Sequence, residues 1–105
     1  MRGISTGAIF VAELGELVIG FSEGVPGEVV AVFVDPNFAN RGIGGLLLGH
    51  ALRLARGSEQ PVRLEATLNA VPFYERFGFT QGERSVVRRN EIEVPIVVMH
   101  RRKKN

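Results

Sequence analysis

Apolar positions along this chain change period several times, and each change marks an element. Residues 9–14 and 17–21 are short, β-branched and aromatic runs separated by Gly15-Glu16. They read as an antiparallel hairpin, with Val18 and Gly20 alternating against Leu17, Ile19 and Phe21. A second turn, residues 24–27 around Pro26, leads into residues 28–34, and these three strands make a meander. The third strand contains an unbroken apolar run, Val29 to Val34, which suits burial on both faces. Asp35-Pro36-Asn37 ends it, because Pro36 has no N–H to donate and restricts Asp35. From Gly42 to Arg56 the spacing becomes helical: Ile43, Leu47, Ala51 and Leu54 share one stripe. Leu46, Leu48, Leu52 and Ala55 widen it, so a mostly buried helix is expected. Gly57 and Pro61 close that helix.

Residues 62–66 form the next strand. A short helix follows between Pro72 and Gly78, with Pro at an early position and Gly at the end. Residues 82–89 and 92–100 complete the chain as an antiparallel pair joined through Arg89-Asn90-Glu91. A strand, a helix and a strand so closely joined predict a parallel pair with a right-handed crossover. The fold class is therefore α/β (α+β), with a mixed, mostly antiparallel sheet containing a central parallel strand pair, in a single domain over residues 1–105. In such a sheet a ligand belongs outside the carboxyl ends of the parallel strands.

The chain has 105 residues, with 45% hydrophobic and 23% charged, which is ordinary for a soluble globular domain. Cysteine is absent, which excludes disulfides and thiolate metal sites and agrees with a cytoplasmic location. No run approaches the ~20 apolar residues of a membrane span, and Glu13 and Glu16 interrupt the only early apolar stretch, so neither a membrane role nor a signal peptide is expected. The net charge of +2 owes much to Arg101-Arg102-Lys103-Lys104, which reads as a solvated tail rather than a nucleic-acid contact. His50 falls near the apolar stripe of the long helix and reads as a buried, hydrogen-bonded imidazole; His100, at the start of the tail, reads as exposed.

The candidate chemistry lies between the third strand and the long helix. The first turn of a helix has N–H groups without partners and partial positive charge. Glycines remove the side chains that would hold an anion away from that backbone. Residues 41–45, Arg41-Gly42-Ile43-Gly44-Gly45, thus read as a pyrophosphate-binding loop. The alternative is a tight turn whose glycines only permit close packing. No Lys follows Gly45, so this is not a Walker loop, and Gly-x-Gly-x-x-Gly fails at Leu47.

What remains, Ala39-Asn40-Arg41-Gly42-Ile43-Gly44, resembles motif A of the GNAT N-acetyltransferase superfamily, with Ala39 standing where that family usually has Gln or Arg. Residues 69–79, Asn69-Ala70-Val71-Pro72-Phe73-Tyr74-Glu75-Arg76-Phe77-Gly78-Phe79, resemble its motif B, the aralkylamine N-acetyltransferase branch in particular. The resemblance implies a GNAT-like acyl-CoA N-acyltransferase fold and acetyl-CoA as cosubstrate, its pyrophosphate on Asn40, Arg41, Gly42, Ile43, Gly44 and Gly45. It implies that Val32, Phe33 and Val34 offer backbone to the pantetheine arm and to a developing oxyanion. Asn69 fits bonding to pantetheine amides, or equally a turn or helix cap. Phe73, Phe77 and Phe79 read as core residues, Phe73 also lying at the cofactor site.

Tyr74 is the candidate general acid for the coenzyme A thiolate, since a phenol of pKa ~10 is protonated at neutral pH; the alternative is an aromatic packing residue. Glu28 is the candidate base, acting through water, or else an exposed strand-end carboxylate. The implied acceptor is a small-molecule or peptide amine. A complete family member has a strand and two helices before this meander, which usually build one wall of the acceptor site, and the residues before Ile9 are too few for them. The chain therefore reads as a short, N-terminally truncated member. The uncovered flank of its sheet predicts a homodimer. A non-catalytic acetyl-CoA-binding module is the second reading, and a nucleic-acid-binding protein using the basic tail is the third.

Overall fold

The computed structural model describes residues 1–102 and divides the chain into two compact units, Met1–Glu59 and Gln60–Asn105. The first unit is a four-stranded antiparallel meander, β1 (Arg2–Thr6), β2 (Ile9–Leu14), β3 (Leu17–Val25) and β4 (Glu28–Val34), with helix α1 (Ile43–Ala55) packed on one face. Each connection is a two-residue turn. Gly7, Gly15 and Gly27 supply the positive φ that these turns need. A 3-10 turn, Pro36–Phe38, follows β4.

Three expectations change here. The residues before Ile9, which carry no predicted element, form β1, with Thr6 opposite Ile9. That strand has one half-buried position, Ile4, among polar or glycine neighbours, so its hydrophobic pattern carried no signal. Strand β3 continues to Val25 instead of stopping at Phe21. Gly20, Ser22 and Gly24 face α1, and a Cβ at Gly24 would collide with the Ala51 carbonyl oxygen. What resembled a turn composition is a strand face kept small so that the helix can approach. The stripe on α1 is also narrower than expected. Ile43, Leu47, Leu48, Ala51, Leu52 and Ala55 are buried, while Leu46 and Leu54 are 56% and 42% exposed.

Bulges shift the register at Ala12/Glu13 and at Glu23/Gly24. The first places Ile19 and Gly20 both inside, where Ile19 joins Ala12, Ile43 and Leu47 in one cluster. The opposite sheet face keeps Phe21 and Phe33 in cross-strand register, ring centroids 5.7 Å apart, and both are exposed.

The second unit has strand order β5-β7-β6, from β5 (Val62–Thr67), β6 (Thr80–Arg89) and β7 (Ile92–Arg101), all antiparallel, with helix α2 (Val71–Arg76) between β5 and β6. Its core is Val62, Leu64, Ala66, Val71, Tyr74, Phe79, Ile96, Val97 and Met99. The β6–β7 turn places Asn90 at φ 49° and Glu91 at φ 67°, the paired left-handed geometry of a type I′ hairpin. Of the three phenylalanines read as core, only Phe79 is fully buried; Phe73 is half-buried and Phe77 exposed, because α2 is a single short turn and a half with one inward face.

Candidate functional site

In the first unit the site grows out of the end of β4. Asp35 donates its N–H to the Ile19 carbonyl at 2.8 Å, holding the exit of the strand against β3. Its carboxylate accepts the Asn37 N–H at 2.9 Å and turns the chain. Asn40 then takes φ 62° and Gly42 takes φ 80°, two left-handed residues flanking Arg41. Such alternation directs successive N–H groups to one side, the geometry of an anion-binding nest. Gly42 is the N-cap of α1, makes no side-chain cap hydrogen bond, and has no acidic residue after it in the first turn. Its carbonyl already accepts the Leu46 N–H at 3.3 Å. The N–H groups of Ile43, Gly44 and Gly45 therefore begin the helix without intrahelical partners, next to the exposed Arg41. A Cβ built at Gly42 would meet nothing within 4 Å, so the space in front of the turn is open. Arg41 stands over the Phe38 ring at 5.4 Å, which orients its guanidinium beside the loop.

The remaining candidates of this unit lie along β4. Val32 and Val34 are half-buried and Phe33 is 49% exposed. Ile43 contributes only its N–H to the loop, since its side chain is in the core. Glu28 is half-buried at the amino end of the strand, roughly 20 Å along the backbone from Val34 at ~3.3 Å per residue.

In the second unit, Thr67 closes β5 and donates its hydroxyl to the Asn69 side-chain oxygen at 2.8 Å. Asn69 is exposed and fixed by that bond at the carboxyl end of the strand. Two residues later α2 begins, with Pro72 in its first turn. Tyr74 is 8% exposed, packed edge-on against Phe73 and Phe79 at ring distances of 5.1 and 5.9 Å. Burial pushes its phenol above the ordinary value of 10, so it holds its proton at neutral pH. This unit thus holds a protonated phenol in its core and an exposed amide just past the end of β5.

His50 is half-buried rather than buried: it stacks on Phe10 at 3.5 Å, and its Nδ1 is 3.1 Å from the Arg53 guanidinium. Burial and then Arg53 lower its pKa below 6.5. His100 is exposed, as expected. Among the described residues no cluster of His, Asp or Glu could hold a metal, and no helix is long and apolar enough to cross a membrane.

The description "Acetyltransferase (GNAT) domain" matches residues 5–81. The chain is 31% identical over 71 residues to the uncharacterized N-acetyltransferase YafP of Escherichia coli K12, covering 68% of this chain and 45% of that one. It is 44% identical over 57 residues to the peptidyl-lysine N-acetyltransferase YjaB of Salmonella typhimurium LT2, covering 54% of this chain and 39% of the relative. The matches thus span less than half of either curated relative. A GCN5-related N-acetyltransferase from Rhodopseudomonas palustris superposes with a TM-score of 0.82 at 23% identity, covering 90% of this chain and 61% of that one. This likeness shows the fold class, a mixed and mostly antiparallel sheet with two helices of the GNAT acyl-CoA N-acyltransferase type. With most of its length inside the matched domain, the chain belongs to the GNAT acetyltransferase family.

Proposed function

We propose that the chain acts as one acetyl-CoA-dependent N-acetyltransferase domain, in which an amine attacks the thioester directly. The carrying observation is the start of α1, an uncapped helix whose first turn opens with a left-handed glycine between Arg41 and two further glycines. That arrangement fits a pyrophosphate, with Asn40, Arg41, Gly42, Ile43, Gly44 and Gly45 as the residues that hold it. Acetyl-CoA supplies the activated acetyl group. The backbone of Val32, Phe33 and Val34 supports the pantetheine arm, and an N–H there stabilises the oxyanion. Asn69 bonds the pantetheine amides and Phe73 packs at the same site. Tyr74 donates its proton to the departing thiolate, a role supported by the phenol's retention of its proton. Glu28 is the proposed base, acting on the amine through water.

The acceptor class is a small-molecule or peptide amine. A lysine side chain heads the acceptors to try, because the Salmonella relative carries the name peptidyl-lysine N-acetyltransferase. The exposed Phe21 and Phe33 face supports a homodimer. Calorimetric titration with acetyl-CoA, followed by thiol release measured across amines and lysine peptides, tests the proposal. Saturable binding with acceptor-dependent thiol release is expected. Binding without release from any acceptor would leave a non-catalytic acetyl-CoA-binding module. No binding at all would sink both.

A further inference from the structure

The second unit carries a concavity that the acetyl-transfer chemistry does not use. It opens where the end of α2, the start of β6 and the end of β7 come together, and its volume is about 580 Å³. Arg76, Phe77, Gly78, His100, Arg101 and Arg102 line it, and among the described residues no carboxylate does. In β5–β7 pairing Val62 stands opposite Arg101 and Thr67 opposite Ile96. The concavity is therefore at the Val62 end of the unit, whereas Asn69 follows the Thr67 end, roughly 17 Å away along the strand at ~3.3 Å per residue.

Three features suit it to a phosphorylated ligand. Gathering three guanidinium groups without a compensating acid is unfavourable unless an anion joins them. Among the described residues none of Arg76, Arg101 and Arg102 forms an ion pair; the pairs Arg63–Glu65 and Arg88–Glu93 lie on the strands instead. Guanidinium forks match phosphate oxygens in pairs. Phe77 is 37% exposed at the rim, giving a planar ring something to stack on. The volume falls inside the range of roughly 300–1,000 Å³ common for small-molecule sites.

We propose that this concavity binds a nucleoside phosphate, with Arg76, Arg101 and Arg102 on the phosphates and Phe77 against the base. It is a second site, on a different unit from the Arg41–Gly45 loop. Titrating the isotopically labelled full chain with ADP and following backbone amides tests it. ADP should shift the amides of Gly78, Thr80 and Arg101. Its affinity should fall at least about tenfold in Arg76→Gln/Arg101→Gln and survive in Gly44→Leu. If the double variant loses its circular dichroism signature, Arg102→Glu alone, at an exposed position, should give the same loss of affinity. Shifts confined to residues 40–45, or unchanged affinity in the arginine variants, would overturn the proposal. So would inorganic pyrophosphate binding as tightly as ADP, which removes the base from recognition. A DNA duplex moving these amides when ADP does not would make the patch a nucleic-acid contact and overturn it equally.

Discussion

Tyr74 combines two properties that ordinarily compete: its ring is core and its hydroxyl is proposed as an acid. The two can be separated, because Tyr74→Phe keeps the ring packed against Phe73 and Phe79 and removes only the proton. Acetyl-CoA affinity should stay nearly unchanged while turnover falls on the order of 10²-fold, the usual scale for a lost general acid. The loss should shrink with an acyl donor whose leaving group needs less protonation. Parental turnover in Tyr74→Phe would reduce the residue to packing. The same burial has a consequence for stability. The folded phenol titrates above the unfolded value of 10, so its contribution is complete below that pH and lost as pH rises through the folded pKa. Denaturant melts from pH 9 upward should show an alkaline loss in the parent that is smaller in Tyr74→Phe. In the loop, Gly44→Leu should cost more than about tenfold in coenzyme A affinity while leaving the chain folded, as calorimetry and circular dichroism would register. These residues are candidates from the sequence because each stands in a motif. The half-exposed state of Phe73 and the exposure of Phe77 were not readable, since side-chain facing in a six-residue helix has too few turns to set a period.

Among the elements, α1 and β4 were readable from the chain, and β1 and the second half of β3 were not. The readable ones carry long apolar patterns of one period. Strand β1 owes its existence to pairing with β2, a partner that its own five residues do not announce. The end of β3 hides because Ser22 and Gly24 fill a helix-facing surface with almost no side chain. That reading makes a sharp prediction. Gly24→Val should drive a side chain into the backbone of α1 at Ala51 and cost about 1–3 kcal/mol, the range for overpacking. A thermal melt of the variant checks it; an unchanged midpoint would mean that helix and strand are free to part. The turns, in contrast, follow from single residues: Pro26-Gly27 and the glycines at 7 and 15 take the conformations their types allow.

For the whole molecule, the fold class was readable because strand, glycine loop, helix and strand occur in one order with short connections. What covers the exposed Phe21 and Phe33 face was not, since an apolar surface does not name its partner. If a second copy covers it, light scattering at micromolar concentration should give twice the mass of one chain, and Phe21→Asp should return the mass to that of one. A monomeric parent would refute the dimer. One property of α1 reaches beyond binding. The helix begins without a side-chain cap and without an acidic residue in its first turn, although capping is ordinarily a stabilising element that a chain supplies for itself. An anion seated there would take over that role, and the last component of the helix would then come from solution. The folding equilibrium then carries the ligand concentration as a variable: at a hundred times Kd occupancy adds about 2.7 kcal/mol. The melting temperature of such a chain becomes a gauge of how much cofactor surrounds it.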